Sequence, residues 1–440
     1  MPVPTATPPT PPHDPALARS VAVRVVRILR EAGFVAYFAG GCVRDELLGI
    51  HPTDFDVATD ATPDRVKALF PRSNMVGAAF GVVLVHWTTP HPGQPERITV
   101  EVATFRGEGA YSDRRRPDSV HFTDAQQDAL RRDFTINALF LDPLALPDAA
   151  TPPGIDGRVI DFVGGLPDLR ARILRAVGDP HARLNEDHLR ALRAARFAAR
   201  LDCHIDPATA DAIRTHAREL QGVSHERIGD ELRRMLRQPA RARAVHWLQT
   251  LGLDAPALQG PALTVDTPIL AALPPATDAI TALAAWSLDR AATALTSETA
   301  IVAHAQDLRK ALCLSNQETV DLRDTLSNIL HLRGPWLGSS VARQKRAANR
   351  PCFFTSLEIL KTLDPARLES VRARLRELKI EPAQGGPAPE PLVTGDDLVH
   401  LGFKPGPSFK EMLNQLYDAQ LEGRIATKPE GLELARNLRV

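Results

Sequence analysis

The stretch Tyr37–Thr59, YFAGGCVRDELLGIHPTDFDVAT, decides how the rest of this chain is read. It holds an apolar run, a Gly40-Gly41 step, a short amphipathic segment around Arg44-Asp45, and Asp54-Phe55-Asp56 leading into a second apolar run. Side chains alternate faces along a strand, so Asp54 and Asp56 project on the same side. Two neighbouring carboxylates repel unless a cation lies between them, and an all-oxygen donor set suits Mg²⁺. A Gly-Gly step lets backbone N–H groups come close to a phosphate. Alone, a Gly-Gly pair is usually a turn and an Asp-x-Asp usually a solvated strand face. In this order and spacing they point to a magnesium–nucleotide site with Asp54 and Asp56 as metal ligands.

Working outward, the pattern predicts a strand at 34–39, a helix at 43–49, a strand at 54–59, and a helix from Thr62-Pro63 to Phe70 with Thr62 as its N-cap. Ala16–Ala32 reads as an amphipathic helix closed by Gly33. Phe80–Trp87 is apolar almost throughout, which predicts a strand buried on both faces, whereas Ile98–Phe105 alternates and sets Glu101 and Ala103 on one side. Strands and helices in this order read as a small mixed α/β sheet. Residues 107–130, with Arg114, Arg115 and Arg116, are expected to form a mobile loop beside the site. RRDFTINALF (131–140) is expected to open a helix, and the Pro- and Gly-rich 142–157 to mark a boundary before a short strand, Val159–Val163.

Beyond Asp168 the pattern turns helical. Between Arg170 and Arg200 there are eight arginines against Asp179, Glu186 and Asp187. Arg190, Arg193, Arg196 and Arg200 recur every three or four residues and so line one helix face, with Leu189, Leu192 and Phe197 turned inwards. Few acids in this segment are spaced to neutralise the stripe, which predicts an anionic partner. Further helices are expected at about 206–220 and 226–250, linker-like sequence at 255–275, and helices over 277–380 with a basic run at Arg343, Lys345, Arg346 and Arg350. A linker at 381–391 and a compact helical tail complete the chain.

Composition narrows the class. Lys plus Arg and Asp plus Glu both number 53 in 440 residues, so any nucleic acid must be met by a local basic patch rather than by net charge. The length implies several domains, and low aromatic content favours a helix-rich architecture. Cys42, Cys203, Cys313 and Cys352 are scattered without metal-binding spacing and fit a reducing cytosol. No apolar run approaches ~20 residues and no signal peptide is evident, so a cytoplasmic protein with no membrane span is expected. The Pro-rich residues 1–15 read as a disordered tail.

Nucleotidyl transfer needs charge neutralised on both the attacking and the leaving oxygen, which two metals held by carboxylates supply. Asp54 and Asp56 are the candidate ligands, and Glu101 on a neighbouring strand is the third catalytic carboxylate. Its alternative role is an ion pair with a nearby arginine. The backbone of Gly40 and Gly41, with Arg44, is expected to hold the triphosphate.

These residues resemble a known family. GGCVRDELLG…DFDVAT, VEVATFR (100–106), YSDRRRPDSVHF (111–122), RRDFTINAL (131–139), EDHLRALRAAR (186–196) and ERIGDEL (226–232) are similar to successive motifs of the class II tRNA nucleotidyltransferases, the CCA-adding enzymes. LVTGDDLVHLGFKPGP (392–407) resembles the family's tRNA-facing end. The resemblance implies an α+β fold: a polymerase β-type nucleotidyltransferase head (16–157), then an all-helical neck (158–254), body (255–385) and tail (386–440). It implies that Asp187 and Arg190, one helical turn apart, read the base edge of CTP and ATP, that Arg193 and Arg196 contact the nucleotide, and that Arg132 and Asp133 recognise the ribose. It implies Mg²⁺ as cofactor and tRNA as acceptor. VGAAFGVV (76–83) resembles the CCA-adding branch rather than the poly(A) polymerases. An A-adding or poly(A) enzyme is the alternative reading; a non-catalytic RNA-binding protein and a transferase acting on small molecules are remoter ones.

Overall fold

Helix α1 (Pro15–Glu31) opens where Asp14 accepts a hydrogen bond from the Ala16 amide at 3.1 Å and Pro15 supplies a preset φ. Its buried stripe is Val21, Val25, Val26 and Leu29, each stabilising by roughly 1.5–3 kcal/mol on burial. The computed structural model in which this is seen describes residues 14–52, 54–76, 81–89, 96–108, 120–291, 293–380, 389–404 and 406–438. The Pro-rich segment up to residue 13, the centre of the arginine loop (109–119) and most of the expected linker (381–388) lie outside the described residues. The chain divides into two compact units, 1–224 with 250–256, and 225–249 with 257–440.

The first unit is built on a mixed seven-stranded sheet. Its strands in the described residues are β1 (Ala36–Ala39), β2 (Asp56–Thr59), β3 (Ser73–Val76), β4 (Val82–Thr89), β5 (Glu96–Thr104), β8 (Phe140–Asp142) and β9 (Arg158–Ile160); β6 (Arg106–Glu108) pairs with β7 (Val120–Phe122) beside it. The order is β3-β4-β5-β2-β1-β8-β9, with β2 and β5 parallel and their neighbours antiparallel. Helix α1 and α3 (Pro63–Leu69) cover one face, burying Val57, Val83, Val85, Ile98, Val100 and Val102. On the other face Ala39, Ala58, Phe105 and Phe140 pack with Ala125 and Ala129 of α4 (Ala125–Leu130), Phe105 and Phe140 meeting edge to face at 6.0 Å.

Three expectations need correction here. Strand β4 is not buried on both faces: Val83 and Val85 are buried, but Val82, Leu84 and His86 are only half-buried on a side that no helix covers. The motif 131–140 does not open a helix. It follows α4 as a turn, makes one 3₁₀ turn at Thr135–Asn137 and enters β8, with the Asp133 carboxylate capping the Phe134 amide at 2.8 Å. Local capping chemistry there overrides helical propensity. The segment 226–250 is two helices, because Pro239 lacks the amide a continuous helix needs.

After α2 (Gly41–Leu47), the remaining helices of the first unit are α5 (Gly165–Arg170), α6 (Pro180–Glu186), α7 (Leu189–Leu201) and α8 (Pro207–His216), with a parallel pair β10 (Ile173–Leu174) and β11 (His204–Ile205). The second unit is helical in all its described elements, from α9 (His225–Leu236) and α10 (Arg241–Thr250) to the terminal Lys428–Asn437. Short helices Asp254–Leu258 and Pro268–Ala272 occupy part of the segment expected to be a linker. The basic run is partly neutralised by the helix Pro407–Leu421: Arg346 pairs with Asp418 at 2.6 Å, and Lys345 donates to the Leu421 carbonyl at 2.7 Å. No helix among the described residues is long and apolar enough to cross a membrane.

Helix α5 braces the 131–140 motif. A Cβ on Gly165 would lie 2.2 Å from the Thr135 carbonyl oxygen, and Asp168 accepts from the Thr135 hydroxyl at 2.7 Å. Gly165→Ala is therefore expected to cost roughly 1–3 kcal/mol. Gly222→Ala, which meets nothing within 4 Å, is expected to change stability by less than ~0.5 kcal/mol. Thermal denaturation of the two variants checks both figures.

Candidate active site

Residues Asp56 and Glu101 stand directly opposite each other across the parallel pair β2–β5. Paired residues share a sheet face, so both carboxylates project from the side opposite α1 and α3, and Asp54, just before β2, is near enough to act on Asp56. Asp54, Asp56 and Glu101 are all exposed there. Walls around the crevice still desolvate the charges. Burial, then Glu101 and Asp54, push the Asp56 carboxyl up to about 6 against the opposing pull of Arg132, and burial raises Glu101 despite Arg106. A carboxylate raised by burial and by two neighbouring acids belongs to a donor set suited to a hard cation. Among the described residues no three His, Cys, Asp or Glu side chains could hold an ion by themselves.

The Gly-Gly step sits against these acids. Cys42, one residue on, is buried and directs its thiol at the backbone carbonyls of Ala39 and Asp56, at 3.4 and 3.8 Å. Gly40 has φ +73°, and a Cβ there would lie 2.8 Å from Nη1 of Arg132. Only glycine meets both demands. Arg44, expected at the triphosphate, turns inwards instead. It is 3% exposed, bonds Asp45 and Asn137, and lies 5.1 Å from the Phe197 ring centroid.

Arg132 and Asp133 are also tied into the framework. Arg132 donates to Asp128 at 3.0 Å and to the Asn137 carbonyl at 3.0 Å, close enough to the crevice to lower the pKa of Asp56. Asp133 accepts from Nε of Arg193 at 2.9 Å and from Asn137 at 3.1 Å. Burial alone would raise its pKa, but Arg193 and Asn137 outweigh burial and hold it at about 2.

The arginine stripe of α7 is corrected by these contacts. Arg190 and Arg196 are buried, at 8% and 7% exposure, and the neutralising acids come from outside the helix. Glu186 takes Arg190, Asp133 takes Arg193, and Asp45 takes Arg200 at 2.8 Å. Glu186 stands four residues before Arg190, a spacing visible in the sequence, whereas Asp133 and Asp45 are brought by the fold. Asp187 and Arg190 do not share a helical turn either: Asp187 is extended (φ −155°, ψ 104°) between α6 and α7, where its carbonyl accepts the Arg190 amide and its carboxylate the Leu189 amide, both at 3.1 Å. The two residues are nonetheless held side by side.

Sequence reading passed over Asn137 and Asp128. Asn137 joins Arg44 to Asp133, and Asp128 anchors Arg131 and Arg132. Asp128 precedes those arginines by three and four residues, a spacing that could have exposed it; Asn137 left no such signal.

Residues 36–175 match the family model described as the poly A polymerase head domain, and 202–264 match a probable RNA- and SrmB-binding site of polymerase A. The CCA-adding enzyme of Limosilactobacillus fermentum is 34% identical over 411 residues, covering 90% of this chain and 91% of its own. The chain belongs to the CCA-adding enzyme family. That of Lacticaseibacillus paracasei is 33% identical over 415 residues, with 92% of each chain covered. Among solved structures, the CCA-adding enzyme of Bacillus stearothermophilus in complex with CTP superposes with a TM-score of 0.70 at 28% identity, over 96% of this chain and 98% of that one. The Thermotoga maritima CCA-adding enzyme complexed with tRNA shares the fold at 18% identity and a TM-score of 0.61. Members of this family use a divalent metal.

The Asp133–Arg193 pair makes a measurable contribution. With the folded value near 2 and an unfolded value near ~3.9, the pair stabilises by on the order of 2 kcal/mol. This is fully present above about pH 5 and drains away as pH falls towards 2. Asp133→Asn is expected to lose it at neutral pH and to flatten the acid limb of the stability curve in urea denaturation. An unchanged acid limb would refute the assignment.

Proposed function

We propose that this chain adds C, C and A to the 3′ end of tRNA, using CTP and ATP and releasing pyrophosphate. The observation that carries the reading is the register of Asp56 with Glu101, beside Asp54 and the Gly40-Gly41 turn, in a chain related to CCA-adding enzymes along nine-tenths of its length.

In this reading Asp54 and Asp56 hold Mg²⁺ at the reacting phosphate. Bound there, the metal lowers the charge on the attacking and leaving oxygens. Glu101 orients the attacking 3′ hydroxyl and takes its proton. The Gly40-Gly41 backbone offers amides to the triphosphate, while Arg44 fixes the turn from beneath. Asp187 and Arg190 read the base edge. An Asp accepts from the exocyclic amino group that cytosine and adenine share, and an Arg donates to ring acceptors; uracil and guanine would leave buried groups unpaired. Arg193 and Asp133 hold α7 against the 131–140 motif, so that Arg132, Asp133 and Arg196 face the nucleotide from fixed positions. The proposed limits are head 16–157, neck 158–254, body 255–385 and tail 386–440. Work on tRNA and four free cysteines both suit a cytoplasmic location.

Incubation with tRNA transcripts ending before, within and after CCA, followed by 3′-end sequencing, tests the activity. Ordered addition of two C and one A is expected; ATP incorporation without CTP would point to an A-adding or poly(A) enzyme. Asp54→Ala and Asp56→Ala are each expected to reduce incorporation at least ~10³-fold while tRNA affinity stays within about twofold. Equal loss of binding would show that the carboxylates are structural.

A further inference from the structure

The uncovered half of strand β4 continues into a polar concavity of about 440 Å³ at the edge of the first unit's sheet, lined by Arg72, Asn74, His86, Thr88 and Arg97 among others. Its floor is an ordered ladder. Asn74 Nδ2 donates to Nε2 of His86 at 3.1 Å, so the ring proton sits on Nδ1 and reaches the Thr99 hydroxyl at 3.1 Å. Arg72 and Arg97 flank this ladder, exposed, and neither pairs with a carboxylate among the described residues. Two guanidinium groups with no carboxylate partner among the described residues, over an Asn amide and a Thr hydroxyl that the imidazole holds in place, form a receptor for phosphate oxygens.

Register relates this concavity to the carboxylates. Glu101 is opposite Leu84 and Thr99 is opposite His86, so the ladder lies one side-chain row from Glu101, about 7 Å along β5. The strand order fixes which reactant it faces. Gly40-Gly41 leaves β1 on one side of Asp56, and Glu101, β4 and β3 lie on the other. In-line transfer needs the leaving pyrophosphate and the attacking hydroxyl on opposite sides of the reacting phosphorus. With the triphosphate at the glycines, the β4–β3 side belongs to the acceptor.

Resting on the functional reading above, we propose that Arg72, Asn74 and Arg97 bind the phosphodiester backbone of the acceptor RNA next to its 3′ end, with His86 holding Asn74 and Thr99 in place, delivering the hydroxyl to Glu101. The experiment measures binding of the full chain to a tRNA transcript ending before CCA across a salt series, together with the KM for CTP. Arg72→Ala/Arg97→Ala is expected to weaken tRNA binding about tenfold near 0.1 M salt and to lower the slope of log affinity against log salt by roughly 1.4, as for two lost contacts to single-stranded RNA. Arg72→Lys/Arg97→Lys keeps the slope, and the KM for CTP stays within about twofold. Asn74→Asp, which adds a negative charge without removing an arginine, is expected to weaken tRNA binding in the same direction. An unchanged salt slope in the alanine pair, or no loss with Asn74→Asp, overturns the proposal. So does an equal rise in the KM for CTP, which would give the concavity to the triphosphate. Extension of the same transcript by the unaltered chain tests the catalytic reading separately.

Discussion

Everything in the first unit answers to one electrostatic difficulty: two like charges placed side by side on adjacent strands. The parallel pairing of β2 with β5 sets Asp56 against Glu101, and burial, with Glu101 and Asp54 adding to it, lifts the Asp56 pKa to about 6. An ordinary sheet would relieve it with a neighbouring Lys or Arg. Here Arg132 is close enough to be felt, but its hydrogen bonds go to Asp128 and the Asn137 carbonyl. The fold thus leaves a charge deficit that a metal–nucleotide complex can fill. A helix laid over β4 would cover the concavity proposed for the acceptor.

Holding those acids in register needs a rigid surround, and a closed circuit of charge-assisted hydrogen bonds supplies it. Arg193 of α7 bonds Asp133, Asp133 bonds Asn137, Asn137 bonds Arg44 of α2, Arg44 bonds Asp45, and Asp45 returns to Arg200 of α7. The circuit joins the helix beneath the glycine turn to the helix carrying the proposed base-reading arginine. Inside it the Phe197 ring receives Arg44, Arg193 and Arg196, with centroid distances of 5.1, 5.2 and 4.2 Å. Cations over an aromatic face gain from its quadrupole while keeping their N–H groups free for acceptors in the ring plane's surroundings. Such a network is costly to leave half-made. Its arginines therefore act as framework, positioning the site more than they carry charge to it.

How far the sequence revealed this depended on the range of each interaction. The β1–α2–β2 order and the alternation that points Glu101 outward are local patterns, and they survive in the structure with shifts of about two residues at the ends. What failed was non-local. An apolar run suggested that β4 is buried on both faces, since Val82 and Leu84 look alike whether a helix or a substrate covers them. The stripe Arg190–Arg200 looked unneutralised because Asp45 and Asp133 are distant in sequence. Residues 131–140 carry helix-compatible side chains, yet the Asp133 cap and the brace of Gly165 against Thr135 hold them as a turn.

The same reasoning gives the site a direction. A sheet with its carboxylates on central strands has two flanks, and they are chemically unlike. Towards β1 lies a glycine turn whose first residue has φ +73° and no room for a side chain, a surface shaped for backbone amides. Towards β4 and β3 lies an open strand face carrying guanidinium groups with no carboxylate partner among the described residues, and a hydrogen-bonded imidazole. Backbone amides suit a compact triphosphate that must be held at close quarters and released as pyrophosphate. Long, exposed arginines suit the phosphates of the proposed acceptor, which their guanidinium forks can meet in more than one orientation. The two flanks thus differ in the kind of phosphate contact each can make: fixed backbone amides on one, adjustable guanidinium groups on the other.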